Sequence, residues 1–436
     1  MRKACARAPS ARRAPLLPAV AKDARRGPHR MRLIVSFAAL FLAVALVQLG
    51  SGALAPLDAL SGAAAGFSTA EIGLLGSAHF VGFFVGCWLA PRLTGAVGHV
   101  RVFAAFAACG AIGALAHPLW YEPLFWAGLR VITGFALAGA YTVIESWLQA
   151  RVTTRTRGRA IGAYRVVDLM AALVAQALIA ALPPAEFVSY NIIAMLCCLC
   201  LLPLTLTTSE APPPPLAPRL RPLRTFRLSP LGAAGVFIAG VTMPAFRMVG
   251  PIYGLDMGLD AGGIALFLSA AILGGALAQI PVGMLADRYD RRWVLVWVSA
   301  AAIAVCSGVA AFGGASPATL YAGALAFGVV SFPIYSISSA HANDFADPGE
   351  TVELNASLLF IYGLGAILSP LAAAWLIETQ GPASLFLFIA AAHAALAGVG
   401  VWRMAVRPAA APDARTPYVY TPRTTFGVGR LLRRRR

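Results

Sequence analysis

The stretch GGIALFLSAAILGGALAQIPVGMLADRYDRR, residues 262–292, sets the reading of this chain. From Gly262 to Ala286 it carries no charged side chain; then Asp287, Arg288, Asp290, Arg291 and Arg292 follow almost without a break. A helix needs about 20 apolar residues to cross the hydrocarbon core of a bilayer, because each residue rises about 1.5 Å through roughly 30 Å. No water is present there to satisfy backbone N–H and C=O groups, so a run of this length is helical. The segment reads as one membrane-spanning helix that ends at a charged surface.

The same pattern recurs along the chain. Spans are expected at about 33–56, 71–93, 100–118, 123–149, 159–182, 187–207, 230–254, 262–286, 293–312, 317–342, 353–377 and 383–403. The chain is 59% hydrophobic and 12% charged with a mean hydropathy of +0.74, far from soluble proteins. The expectation is an all-α polytopic membrane protein of twelve helices.

The connectors sort into two sets. One carries Arg92 to Arg101, Arg151 to Arg159, Arg219 to Arg227, Arg288 to Arg292 and the tail from Arg403; the other holds Asp58, Glu122, Glu186, Asp256, Asp260 and Glu378 without a single Lys or Arg. The positive-inside rule then predicts a multi-pass protein of the inner (plasma) membrane with both termini in the cytoplasm. The net charge of +17 is accounted for by this basic face and the tails, where anionic lipid headgroups are the expected partner. It gathers into no basic surface of the kind that grips nucleic acid.

Five regions are expected: a basic, disordered extension over 1–32, a six-helix bundle over 33–207, a Pro/Arg-rich linker over 208–229, a second six-helix bundle over 230–403, and a basic tail over 404–436. Pro9, Pro15, Pro18 and Pro28 disfavour an amphipathic helix in the extension. It reads as a start placed too early with Met31 the true one, as a disordered tail, or as a targeting segment. The linker run APPPPLAPRLRPLR at 211–224 is expected to be non-helical, and the tail after Arg407 to be disordered, its closing arginines held by lipid. LAPR at 89–92 and LADR at 285–288 both close the second helix of their half, a parallel repeat suited to one central site opened to each side in turn. Cys197, Cys198 and Cys200 lie in an apolar span with no His or carboxylate at their depth, so neither metal nor cofactor is expected.

Several stretches resemble the major facilitator superfamily. GMLADRYDRR at 283–292 is similar to its loop signature, and LRVITGFALAGA at 129–140 to its R-x-x-q-G element, with Arg130 and Gly134 in place and Thr133 at the Gln position. GHVRVFAAFAA at 98–108, IESWLQA at 144–150, RGRAIGAY at 157–164, HANDF at 341–345 and YGLGAILSP at 362–370 resemble the YcaD-like branch. The resemblance covers nearly everything from Met31 to Trp402. It implies a secondary transporter working by alternating access with no ATP site. Pro91 stands where the first half's loop signature has Asp, and the fifth span lacks the Gly-Pro element of drug–proton antiporters. A similar helix-packing element, Gly363, Gly365 and Pro370, appears in the eleventh span, so the resemblance carries no implication of drug efflux.

Charged groups inside a membrane are costly unless paired or wet, which makes each a functional candidate. They are Arg130, Glu145, Arg165, Asp168 and Arg247. Glu145 and Arg165 lie equally far from a turn near Arg155, and Arg165 and Asp168 share a helix face. A cluster of two acids about one base is expected, acting either as a proton relay or as a structural brace. Arg130 and Arg247 have similar depth in opposite bundles and would clamp an anion, unless Arg247 snorkels to the headgroups. Asp287, with Arg288, Arg291 and Arg292, is expected near Arg157 and Arg159 at the start of span five, as a contact that closes the cytoplasmic side; the alternative is a surface acid. The function expected is secondary transport of a small organic solute, coupled to protons, by a monomer. A membrane-embedded receptor or enzyme is the alternative, but no paired catalytic motif or soluble domain supports it.

Overall fold

The computed structural model describes residues 26–152, 157–206, 217–347, 349–406, 415–421 and 423–426 (of 26–36 and 157–158, the backbone alone). Its helices in chain order are α1 Arg26–Ala64, α2 Thr69–Val97, α3 His99–Leu115, α4 Pro123–Arg151, α5 Arg157–Ile179, α6 Phe187–Leu199, α7 Leu201–Thr205, α8 Pro222–Leu228, α9 Pro230–Asp256, α10 Ala261–Arg288, α11 Arg291–Phe312, α12 Pro317–Ser331, α13 Ile334–Asn343, α14 Thr351–Gln380 and α15 Ser384–Val406. Twelve spans are long and apolar enough to cross a membrane; α6 with α7, and α12 with α13, each make one.

Two acids of the acid-bearing connectors cap helices. Glu122 accepts a hydrogen bond from the N–H of Phe125 at the start of α4, and Asp260 one from Gly263 at the start of α10. Ser68 and Glu71 form a reciprocal capping box on α2. Each satisfies N–H groups that the first turn leaves open, and a carboxylate there also suits the positive end of the helix dipole. Two boundaries differ from expectation. α1 already begins at Arg26 and runs to Ala64, straight through Pro56, so Asp58 lies inside a span rather than in a connector. The linker is helical over Pro222–Leu228: Pro222 sits in the first turn, where its missing N–H costs nothing. Arg224 pairs with Glu350 at 2.7 Å. The 211–216 part of the proline run lies outside the described residues.

Lipid offers no hydrophobic drive between helices, so small residues set where backbones meet. A Cβ at Gly86 of α2 would lie 2.6 Å from the carbonyl oxygen of Phe135 on α4, and one at Gly134 would collide with the backbone of His79. The second half repeats the device: Gly274 of α10 abuts the carbonyl of Leu325, and Gly328 of α12 abuts that of Ala271. Spans two and four therefore cross as spans eight and ten do, and the chain forms two six-helix bundles.

The halves meet closely at the acid-bearing end. Pro370 of α14 packs on Gly73 and Gly76 of α2, the Leu371 N–H donates to Ser77 at 3.3 Å, and the Ala70 N–H donates to Glu378 at 2.8 Å. Farther toward the Arg-bearing end the same two helices carry Phe84 and Phe360, with ring centres 4.8 Å apart. Residues 415–421 and 423–426 lie there between the halves. This corrects the expectation of a wholly disordered tail: Thr421, Thr425 and Phe426 are 3%, 2% and 3% exposed. Composition marked the segment as basic and Pro-bearing, and tertiary contacts overrode that signal.

Candidate functional site

A cavity of about 500 Å³ lies between the two halves, with a largely apolar wall. The polar groups on it include Gln48, His79, Arg130, Tyr141, Asp168 and Arg247. An enclosure of this size, apolar with a few convergent polar groups, is the usual form of a small-molecule site.

Arg130 reaches this cavity from α4 but is not free. Its Nη1 lies 3.2 Å from Asp58 Oδ2, and both side chains are shut from solvent. His117 Nε2 stands 3.5 Å from the same oxygen, while its Nδ1 lies 2.6 Å from the Gly113 carbonyl. A carbonyl only accepts, so Nδ1 donates there. The His117 ring stacks on Tyr190 and meets Trp126 edge-on, each at 5.0 Å. The arginine's partner is thus an acid of the first span, which the sequence placed in a connector because the span was taken to end at Pro56. A lone Asp within LAPLDAL was the available signal.

Arg165 and Asp168 meet at 3.2 Å, one turn apart on α5. Tyr141 of α4 lies 2.9 Å from Asp168 and 2.7 Å from Gln48 Oε1. Its single proton serves one of these, and a Gln48 amide turned about would donate to the other lone pair. Glu145 does not join them, which corrects the expected cluster of two acids about one base. Its carboxylate accepts from Tyr164 at 3.2 Å, from Thr425 at 2.7 Å and from Thr424. Equal depth was not enough: Tyr164, not Arg165, is the α5 residue facing Glu145, and neighbours on a helix point about 100° apart.

Arg247 of α9 is open to the cavity, and among the described residues no carboxylate pairs with it. At the Arg-bearing end, Arg291 is 2% exposed and donates to Asp344 at 2.5 Å, to Asp287 at 3.1 Å and to the Ala340 carbonyl. Burial pushes the Asp344 carboxyl above its ordinary range, against the opposing pull of Arg291 and Thr416. Among the described residues Asp287 is held by Arg291 and by the Tyr418 N–H at 2.7 Å. Arg159 is exposed and forms no ion pair with Asp287, which leaves that half of the expected closing contact unmade, while the side chain of Arg157, and with it the other half, lies outside the described residues. Arg292 pairs with Asp290 at 2.7 Å, and Arg288 is exposed beside the Tyr289 ring. Gly365 lets α14 approach the Phe237 carbonyl of α9, Gly363 faces Phe84, and Pro370 packs on α2. Asp344, the acid of HANDF, was legible only as part of a resemblance.

Comparisons with known proteins agree with this architecture. The family profile of the Major Facilitator Superfamily matches residues 40–272 and 233–436. An uncharacterised major-facilitator-type transporter of Enterobacter sp. (strain 638) is 27% identical over 324 residues, covering 74% of this chain and 84% of the relative. The uncharacterised transporter YcaD of Escherichia coli O7:K1 is 26% identical over 331 residues, with the same two coverages, 74% and 84%. Among solved structures, a mutant of the nucleoside transporter NupG superposes with a TM-score of 0.72 at 16% identity, covering 84% of this chain and 99% of its own; this likeness speaks for the fold alone.

Proposed function

The chain belongs to the major facilitator superfamily, and from that premise we propose that this multi-pass membrane transporter carries a small organic solute with an acidic group, by alternating access coupled to protons. The observation that carries the reading is Arg247, a guanidinium open to the central cavity that forms no ion pair with any carboxylate of the described residues. Arginine presents a planar fork that matches carboxylate or phosphate oxygens two at a time. Arg130 lines the same cavity but is already balanced by Asp58, so it adds positive potential more cheaply than a second free charge would.

Closure at the acid-bearing end and a gap at the Arg-bearing end fit one of the two states that alternating access requires. The distribution of arginines supports placing the Arg-bearing end, and both termini, in the cytoplasm of a plasma membrane. Proton coupling rests on Glu145: it is enclosed at 4% exposure and satisfied by hydroxyls, so a proton on it breaks no ion pair.

The test is a thermal-shift screen of the purified protein with small carboxylates and phosphates beside their amide and amine analogues. A ligand of the native state raises apparent stability by about 2.7 kcal/mol at a hundredfold excess over its Kd. Shifts confined to neutral or cationic compounds would reject an anionic solute. Vesicle flux with an imposed pH gradient then tests coupling.

A further inference from the structure

Residues 415–421 and 423–426 enter the gap between the halves and bond to both. On the C-terminal half, the Thr416 N–H donates to Asp344 at 2.8 Å and Arg291 donates to the Thr416 carbonyl. The Tyr418 N–H donates to Asp287 at 2.7 Å, and its hydroxyl donates to Gln279 at 2.9 Å. On the N-terminal half, Arg165 donates to the Tyr420 hydroxyl at 2.6 Å, and the hydroxyls of Thr424 and Thr425 donate to Glu145. Phe426 stands edge-on to Phe84, with ring centres 5.7 Å apart. Between these anchors, Arg423 lies over the rings of Tyr335 and Tyr362, at 5.7 and 5.6 Å.

We infer that the mouth of the cavity at the Arg-bearing end is a docking site for the chain's own residues 415–421 and 423–426, and that the docked segment blocks the route a solute would take. Three features argue for a built occupant. The backbone N–H groups of Thr416, Tyr418 and Thr421 and the hydroxyls of Tyr418, Thr424 and Thr425 all find acceptors on the two halves, so much of the segment's polar surface enters the protein satisfied. Two of the three hydroxyls on Glu145 come from it; when it leaves, the buried carboxylate keeps Tyr164 alone. A strand of chain fastened to both halves also holds them at one spacing, as a rocking cycle cannot allow. Eight residues, 407–414, join it to the end of α15. So short a tether gives an effective concentration on the order of millimolar, so weak docking suffices. The inference needs the family's alternating access but neither the acidic solute nor the proton.

Cys87 reports on docking without any solute. It is 1% exposed, and its Sγ lies 3.8 Å from the Thr424 carbonyl. In purified full-length protein whose other cysteines are replaced by alanine, the rate of Cys87 labelling by a water-soluble maleimide is compared among three forms. They are the intact chain, the chain ended after Val406, and the intact chain with Thr425→Asp, which sets a second carboxylate against Glu145. Both altered forms should label about tenfold faster or more, since an undocked minor state populates at roughly 10% or less. A peptide of residues 414–427 should slow the truncated form again. Equal rates in all three would overturn the inference. So would faster labelling that excess peptide leaves unchanged, because that is general loosening rather than an emptied site. If the truncated chain fails to stay monodisperse, the Thr425→Asp comparison decides alone.

Discussion

Asp58 and Arg130 form an ion pair 3.2 Å across, carried by the first and fourth spans, with both side chains enclosed. Breaking such a pair from one side strands the other charge, at a cost of about 3–5 kcal/mol. Asp58→Asn should therefore lower the unfolding temperature in detergent sharply. Adding Arg130→Met should recover much of the loss, because no lone charge remains. A single variant as stable as the parent would show that the two groups do not share their charge.

Orientation is checked by reporter fusions. One after Arg224 should report cytoplasm, since α8 carries its arginines at the same end as the Arg288–Arg292 connector, and one after Asp260 should report the opposite side. An outside signal after Arg224 would reverse the whole assignment.

How far the sequence carried the reading depended on the reach of each contact. Twelve helices were legible because a membrane leaves the backbone no other choice. The Arg165–Asp168 pair was legible because three residues on one helix fix a shared face. Contacts between helices were not, because depth alone leaves each helix's rotation free. That is why spacing points Glu145 at Arg165 when Tyr164 faces it; Asp58 escapes for another reason, since Pro56 reads as the end of a span that in fact runs on to Ala64. The docked tail lay furthest from reach: twelve residues of modest polarity reveal no partners until the cleft they fill is known.

Arg291 should be the residue of the Arg-bearing end least tolerant of change. It holds Asp344 at 2.5 Å, and both side chains are 2% exposed. Arg291→Ala leaves that carboxylate enclosed and should cost about 3–5 kcal/mol. The sign of the pH effect follows from the raised Asp344 value. A carboxyl whose folded value exceeds its unfolded one binds more protons when folded, so stability is kept at low pH and lost as pH rises through the folded value. Removing the guanidinium raises that value further, so the gap to the parent should narrow on acidification. A gap that widens instead would mean Asp344 is not the stranded group.

Arg247→Gln should act on binding rather than on stability. The side chain is open to the cavity and forms no ion pair with a described carboxylate, so its removal strands no opposite charge. Losing charged hydrogen bonds worth about 1.5–3 kcal/mol should weaken an anionic ligand by roughly tenfold to a hundredfold. Arg247→Lys should recover only part of this, since it keeps the charge without the fork. Ligand-induced thermal shifts unchanged in both variants would remove Arg247 from the site.

The two acids beside the cavity should behave differently. A proton placed on Asp168 would disrupt its 3.2 Å pair with Arg165. A proton on Glu145 breaks no ion pair among the described residues, and the Tyr164 hydroxyl, joined by those of Thr424 and Thr425 while the tail is docked, can turn to accept it. Glu145→Gln should therefore abolish solute accumulation driven by a pH gradient, yet spare exchange between equal pools, which moves no net proton. Asp168→Asn leaves Arg165 without its acid and should impair accumulation and exchange together. Arg165→Ala should do the same with a larger loss of stability, since it leaves Asp168 without its cation. Flux in vesicles of known internal pH separates these outcomes. A Glu145→Gln protein that still concentrates solute against its gradient would move the proton elsewhere, and Glu145 would then be a polar brace between α4, α5 and the docked tail.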